Sequence, residues 1–95
     1  MKVSEKVLEK RLNNDIESLG GMTIKLIAGV FSGLPDRLCL MPRGKIFFVE
    51  VKTTGEKPRK LQKIVFKRLQ QLGFKVFILD DYESLHTITK WAATC

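Results

Sequence analysis

Soft metal ligands are scarce in this sequence: one histidine and two cysteines, too few and too scattered for a structural zinc site. Cys39 lies in an apolar run and Cys95 is the last residue, so both read as free thiols. No apolar run approaches the roughly 20 residues that span a bilayer, which excludes a membrane-spanning helix. The opening Met1-Lys2-Val3-Ser4-Glu5-Lys6 lacks the apolar core of a secretion signal, and a cytoplasmic location is expected. Acidic residues are the other shortage, ten Asp and Glu against seventeen Lys and Arg, for a net charge of +7. None falls between Lys57 and Arg68, where Lys57, Arg59, Lys60, Lys63, Lys67 and Arg68 place six positive charges in twelve residues. Such a density favours a polyanionic partner, above all the phosphate backbone of a nucleic acid; the plainer alternative is a solvated helix face.

What is present reads as one small α/β domain. Ninety-five residues supply a single core, and there is no repeat, linker or low-complexity segment. Val3, Val7, Leu8, Leu12, Ile16 and Leu19 recur at steps of three and four, predicting a helix that ends at Gly20-Gly21. Alternation from Met22 to Ala28 predicts a strand, and Gly29 to Pro35 a punctuated loop. Arg37–Met41 and Lys45–Thr53 predict a hairpin turning on Pro42, Arg43 and Gly44. Pro58 suits the first turn of a second helix with apolar positions Leu61, Ile64, Val65, Leu69 and Leu72. A short strand from Phe74 to Leu79 follows, then a last helix capped by Asp80 or Asp81 that buries Leu85, Ile88, Trp91 and Ala92. The expected order is αβββαβα, helices covering a mixed sheet.

The hairpin concentrates the chemistry. A turn on Arg43 and Gly44 pairs residues whose numbers sum to about 86 or 87, so Asp36 falls opposite Glu50 or its neighbour. Opposed carboxylates repel across a strand pair. Alternation puts Glu50 and Lys52 on the face of Ile46 and Phe48, with Phe47, Val49 and Val51 on the other. Charges gathered at the rim of a buried surface call for a shifted pKa, an ion pair or a bound cation. Two carboxylates and a backbone carbonyl make a hard oxygen site suited to Mg²⁺ or Mn²⁺, with Lys52 beside it to hold a water or screen phosphate charge. The alternative is a structural Glu50–Lys52 pair beside an unrelated aspartate.

Gly33-Leu34-Pro35-Asp36, thirteen intervening residues, Glu50-Val51-Lys52, and Gln62 in the next helix together resemble the virus-type replication-repair nuclease (VRR-NUC) family, a branch of the PD-(D/E)XK nuclease superfamily. Further likenesses are Gly20-Gly21 after the first helix and the Thr-Gly loop after Lys52. The resemblance implies a restriction-endonuclease-like core in which Asp36 and Glu50 hold the metal, the Val51 carbonyl completes the protein ligands and Lys52 is catalytic. It further implies that Gln62 supports the site and that a first-helix glutamate, Glu5 in preference to Glu9, reaches the metal. Lys25 and Arg37 join Lys57, Arg59, Lys60 and Lys63 as candidate phosphate contacts. Phe31 is positioned to stack on a base or to shield the core. His86 and Trp91 are expected to be solvated or packed.

Stand-alone members of the family resemble Holliday-junction resolvases, which implies branched DNA as substrate and a bacterial or phage-infected cell as setting. A symmetric two-strand cut needs two sites, hence a homodimer. Phe66, Phe74, Phe77, Val30 and Phe31 are candidates for its interface. The rival expectations are a flap, nicking or duplex nuclease of the same fold, and a binding module without catalysis.

Overall fold

The computed structural model describes residues 2–27, 29 and 31–94. Its elements follow the expected order: α1 (Glu5–Ser18), β1 (Met22–Lys25), β2 (Arg37–Leu40), β3 (Ile46–Val51), α2 (Lys60–Gln71), β4 (Lys75–Leu79) and α3 (Tyr82–Ala92). One four-stranded sheet runs β1-β2-β3-β4, antiparallel except for the parallel β3–β4 pair, with α2 as the crossover that a parallel pair requires. No helix among the described residues is long and apolar enough to cross a membrane.

Local chemistry fixes the ends of these elements. Ser4 caps α1, its hydroxyl accepting from the Val7 N–H at 3.3 Å. At the far end Gly20 adopts φ +87°, and the N–H groups of Gly20 and Gly21 donate to the carbonyls of Glu17 and Ile16. This double closure is the helix stop that a left-handed residue permits. Leu8, Leu12 and Ile16 form the buried stripe of α1, while Val7 lies off it and is exposed. The hairpin turn is a short 3₁₀ segment, Pro42–Gly44, with Arg43 at φ 68° and the Met41 N–H closing onto the Lys45 carbonyl at 2.8 Å. Asp81 caps α3 by accepting from the Ser84 N–H at 2.7 Å. The Lys45 ammonium closes the other end of that helix, donating to the carbonyls of Trp91 and Thr94 at 2.7 and 2.9 Å.

Phe47, Val49 and Val51 of β3 join Cys39, Leu79, the α1 stripe and Leu85, Ile88 and Ala92 of α3 in one core. Trp91 packs edge-on to Phe47 and Phe77, with ring centroids 5.3 and 5.4 Å away. On the opposite face α2 packs over β4.

Several expectations change here. Strand β1 ends at Lys25 rather than Ala28, and Ala28 itself lies outside the described residues. Helix α2 begins after Arg59, its N-cap, so Pro58 stands before the helix. Its buried face is Gln62 and Phe66, not the expected apolar set: Leu61, Ile64 and Leu72 are exposed, with Val65 and Leu69 half-buried. A polar residue with fixed hydrogen-bond partners turns the helix about its axis. Phe66 and Phe77 are accordingly buried or packed on the core and are not available to an interface; Val30 lies outside the described residues.

Candidate functional site

The β2–β3 register pairs Arg37 with Val49, so residue numbers sum to 86 and Asp36 and Glu50 are the next position beyond the last ladder pair. There the carboxylates replace the ladder. The Asp36 N–H donates to Glu50 Oε1 at 3.1 Å, and Asp36 Oδ2 accepts from the Val51 N–H at 2.9 Å. Each acid is tied to the backbone of the opposing strand, which fixes both side chains without neutralising either. On its outer side the Asp36 carbonyl accepts from the Leu26 N–H at 2.7 Å, continuing the β1 pairing into this row.

The loop ahead of Asp36 is shaped by Gly33 and Pro35. Gly33 sits at φ +91°, and a Cβ on it would come within 2.8 Å of Val65 Cγ2 and 3.2 Å of the Leu61 carbonyl. A side chain there would push the loop off α2, and Asp36 with it. Pro35 is fully buried, fixes its own φ directly ahead of Asp36 and disfavours helical backbone at Leu34.

Glu50 is only 1% exposed. Its Oε2 accepts from Gln62 Nε2 at 2.9 Å and pairs with Lys52 Nζ at 3.2 Å. Burial raises its pKa above the ordinary carboxylate value, the Asp36 carboxylate adds to the rise, and Lys52 and Gln62 oppose it. Gln62 uses its other end to accept from the Arg59 N–H at 2.9 Å, the capping box of α2. One buried amide therefore joins the start of the basic helix to the carboxylate pair.

The remaining candidates divide by position. Lys57, Arg59, Lys60 and Lys63 are exposed on the loop and first turns of α2, close in sequence to Gln62. Lys25 is exposed at the end of β1. Arg37 belongs to the face opposite Asp36, because neighbouring strand residues point oppositely, and Lys25, its direct partner across the β1–β2 ladder, shares that face. Arg37 Nη2 pairs with Glu9 Oε1 at 3.0 Å, and its Nη1 donates to Thr23 Oγ1 at 3.3 Å. Glu9 is thus engaged, while Glu5 is exposed in the first turn of α1. Among the described residues no three Asp, Glu, His or Cys side chains gather as a metal cluster, so neither glutamate joins Asp36 and Glu50 in this arrangement. Phe31 and His86 are exposed.

Thr54 was not singled out from the sequence. Its hydroxyl accepts from the Val3 N–H at 2.9 Å and donates to the Asp80 carbonyl at 2.5 Å, and its own N–H reaches the Val3 carbonyl at 3.4 Å. This joint holds the start of α1, the loop after Lys52 and the end of β4 together. Only the Thr-Gly pattern pointed toward it.

The VRR-NUC domain model matches residues 2–80. The chain is 40% identical over 81 residues to a protein of Acyrthosiphon pisum secondary endosymbiont phage 1 named "Putative nuclease p44", covering 85% of this chain and 87% of that protein. A solved structure described as a VRR_NUC domain superposes with a TM-score of 0.85 at 31% identity, covering 93% of this chain and 97% of that one.

Proposed function

Because the chain belongs to the VRR-NUC family of nucleases, we propose that it is a Mg²⁺- or Mn²⁺-dependent endonuclease that hydrolyses phosphodiester bonds in branched DNA, acting as a homodimer. The observation that carries the reading is the crosswise tie of Asp36 and Glu50, two fixed carboxylates with Lys52 alongside.

A hard divalent ion fits this donor set. Mg²⁺ is commonly held by one or two carboxylates, with water and substrate phosphate filling its other positions. Asp36, Glu50 and the Val51 carbonyl would hold it, with Glu5 at the start of α1 the further carboxylate that the family resemblance implies. A buried acid whose charged form is disfavoured is also a site where a cation relieves an existing cost. When bound, the ion polarises the phosphate and lowers the pKa of water.

The chain's own groups do the rest. Lys52, held 3.2 Å from Glu50, orients the attacking water and screens charge on the phosphorus oxygens. Gln62 keeps Glu50 from rotating. Lys57, Arg59, Lys60 and Lys63 engage the DNA backbone and set its register on the site. Branched DNA is the substrate that the family resemblance implies, and a junction shares its two-fold symmetry with a dimer.

Asp36→Ala tests the reading. Wild-type protein is expected to cleave with Mn²⁺ and the variant to bind DNA without cleaving it; equal weak nicking by both would leave a binding module. Junction, flap and duplex substrates of matched sequence assign the DNA shape, with junction cut fastest.

A further inference from the structure

The register gives the α2-side face of the sheet a simple order. Met22, Leu40 and Ile46 form one cross-strand row, and Ile24, Leu38 and Phe48 the next. The third row contains Asp36 and Glu50. Helix α2 stands over β4 and leaves the first two rows uncovered: Met22 is 53% exposed, Ile24 and Ile46 38% each, and the other three are half-buried. Phe74, exposed and edge-on to Phe48, borders the patch on the α2 side.

We propose that this six-residue face is where a second copy of the chain docks, an inference that rests on the dimeric reading above. Size is the first argument. Three strands about 4.8 Å apart and four residues of about 3.3 Å each make a tile of roughly 14 by 13 Å. Side chains standing off it bring the accessible apolar area into the range of the largest patches on soluble chains, about 300 to 600 Å². A standard interface takes about 800 Å² from each partner around an apolar centre with a polar rim. The tile supplies the centre.

Charge is the second argument. Two copies at +7 repel, and an uncharged face is where that repulsion costs least. All six residues are uncharged. Leu61 and Ile64 on α2, also exposed and apolar, are instead interleaved with Lys60, Lys63, Lys67 and Arg68. A second copy there would oppose like charges, whereas phosphates would meet complementary ones. The two surfaces therefore sort by partner, protein on the sheet and DNA on the helix.

Position is the third. The carboxylate row lies two residues, about 7 Å, beyond the tile. Sheets packed face to face lie about 10 Å apart, so a dimer formed on this face carries its two sites beside the interface. Helix α2, set to one side, keeps its lysines outside the contact.

Sedimentation of wild type, Ile24→Glu, Ile46→Glu and Ile64→Glu over a wide concentration range tests the proposal, with far-UV circular dichroism and thermal midpoint confirming that each is folded. Ile24 and Ile46 are already part-exposed, so both variants are expected to fold; Ile46→Gln provides an uncharged check. The expected result is a wild-type dimer whose dissociation constant rises at least about tenfold in Ile24→Glu and Ile46→Glu, through burial of an unpaired charge, and is unchanged in Ile64→Glu. A wild-type dimer equally tight in both sheet variants would overturn this face and leave the dimeric reading standing. A wild-type chain that stays monomeric while still cutting DNA with Mn²⁺ would overturn both the face and the dimer, but not the nuclease.

Discussion

Replacing Gln62 with methionine, of similar length and without polar hydrogens, removes an amide that hydrogen-bonds both the carboxylate pair and the start of the basic helix. The amide is 5% exposed and makes two hydrogen bonds, 2.9 Å to Glu50 Oε2 and 2.9 Å from the Arg59 N–H. The first, to an ionisable acceptor that is itself buried, is worth about 1.5 to 3 kcal/mol. The second is replaced by water at an exposed residue and costs about 0.5 kcal/mol at most. Burial of the methionine side chain returns part of this, about 1 kcal/mol. A net loss of about 2 kcal/mol corresponds, for a domain of this size, to a fall in Tm of roughly 8 to 16 °C. Thermal unfolding in a chelator at neutral pH measures it, with Gln71→Met, on the exposed side of α2, as a control expected within about 0.5 kcal/mol of wild type. With Mn²⁺ present the variant should gain less stability than wild type, since Glu50 has lost the contact that orients it, and kcat for cleavage should fall at least tenfold with KM for DNA little changed. A Tm within 2 °C of wild type would refute the ledger. A normal Tm shift with an undiminished response to Mn²⁺ would refute the link from Gln62 through Glu50 to the metal.

Thr54→Val keeps shape but removes both hydroxyl bonds of the three-way joint, and should cost about 2 kcal/mol in chemical denaturation, with Thr54→Ser restoring most of it. The pH dependence of metal-free stability has two opposed parts. Glu50, raised in the folded state chiefly by burial, holds a proton that the unfolded chain releases, so stability falls as pH rises from the ordinary carboxylate value to the folded one. Asp81, lowered by hydrogen bonds from Ser84, gives stability that is present above its unfolded value and lost as pH falls through the folded one. Unfolding curves of Glu50→Gln and Asp81→Asn against pH should each delete one limb, and an unchanged profile in either would refute its assignment. Cys39, its thiol pushed up to about 12 by burial, should resist alkylation at pH 8 in the native protein and react on unfolding, as peptide mass mapping would report.

The carboxylate pair was legible in the sequence because a hairpin's register depends on its turn alone. Once Pro42 to Gly44 is read as the turn, Asp36 must meet Glu50, and alternation brings Lys52 to the same face. The same alternation sends Arg37 to the opposite face, against Glu9, and a strict reading of it removes that arginine from the phosphate contacts. The buried face of α2 was not legible for a different reason. Periodicity assigns polar residues outward, yet Gln62 is satisfied at both ends by partners from a distant strand and its own helix cap, so its burial carries no desolvation cost that a sequence could reveal. Phe66 is carried inward with it, and Leu61 and Ile64 are left outside.

The first two rows of the sheet show the same limit from the other side. Met22, Ile24 and Ile46 have the pattern of core strands, and nothing local separates them from Phe47 or Val49 on the opposite face. What separates them is cover. Helices α1 and α3 lie over one face, and α2, tethered at Gln62 and packed on β4, cannot also reach β1 and β2. Apolar alternation records which residues must leave water but not what they must meet. On this sheet α1 and α3 account for one face and α2 for part of the other, so the two rows without a helix are the apolar surface on which the proposed second copy would dock.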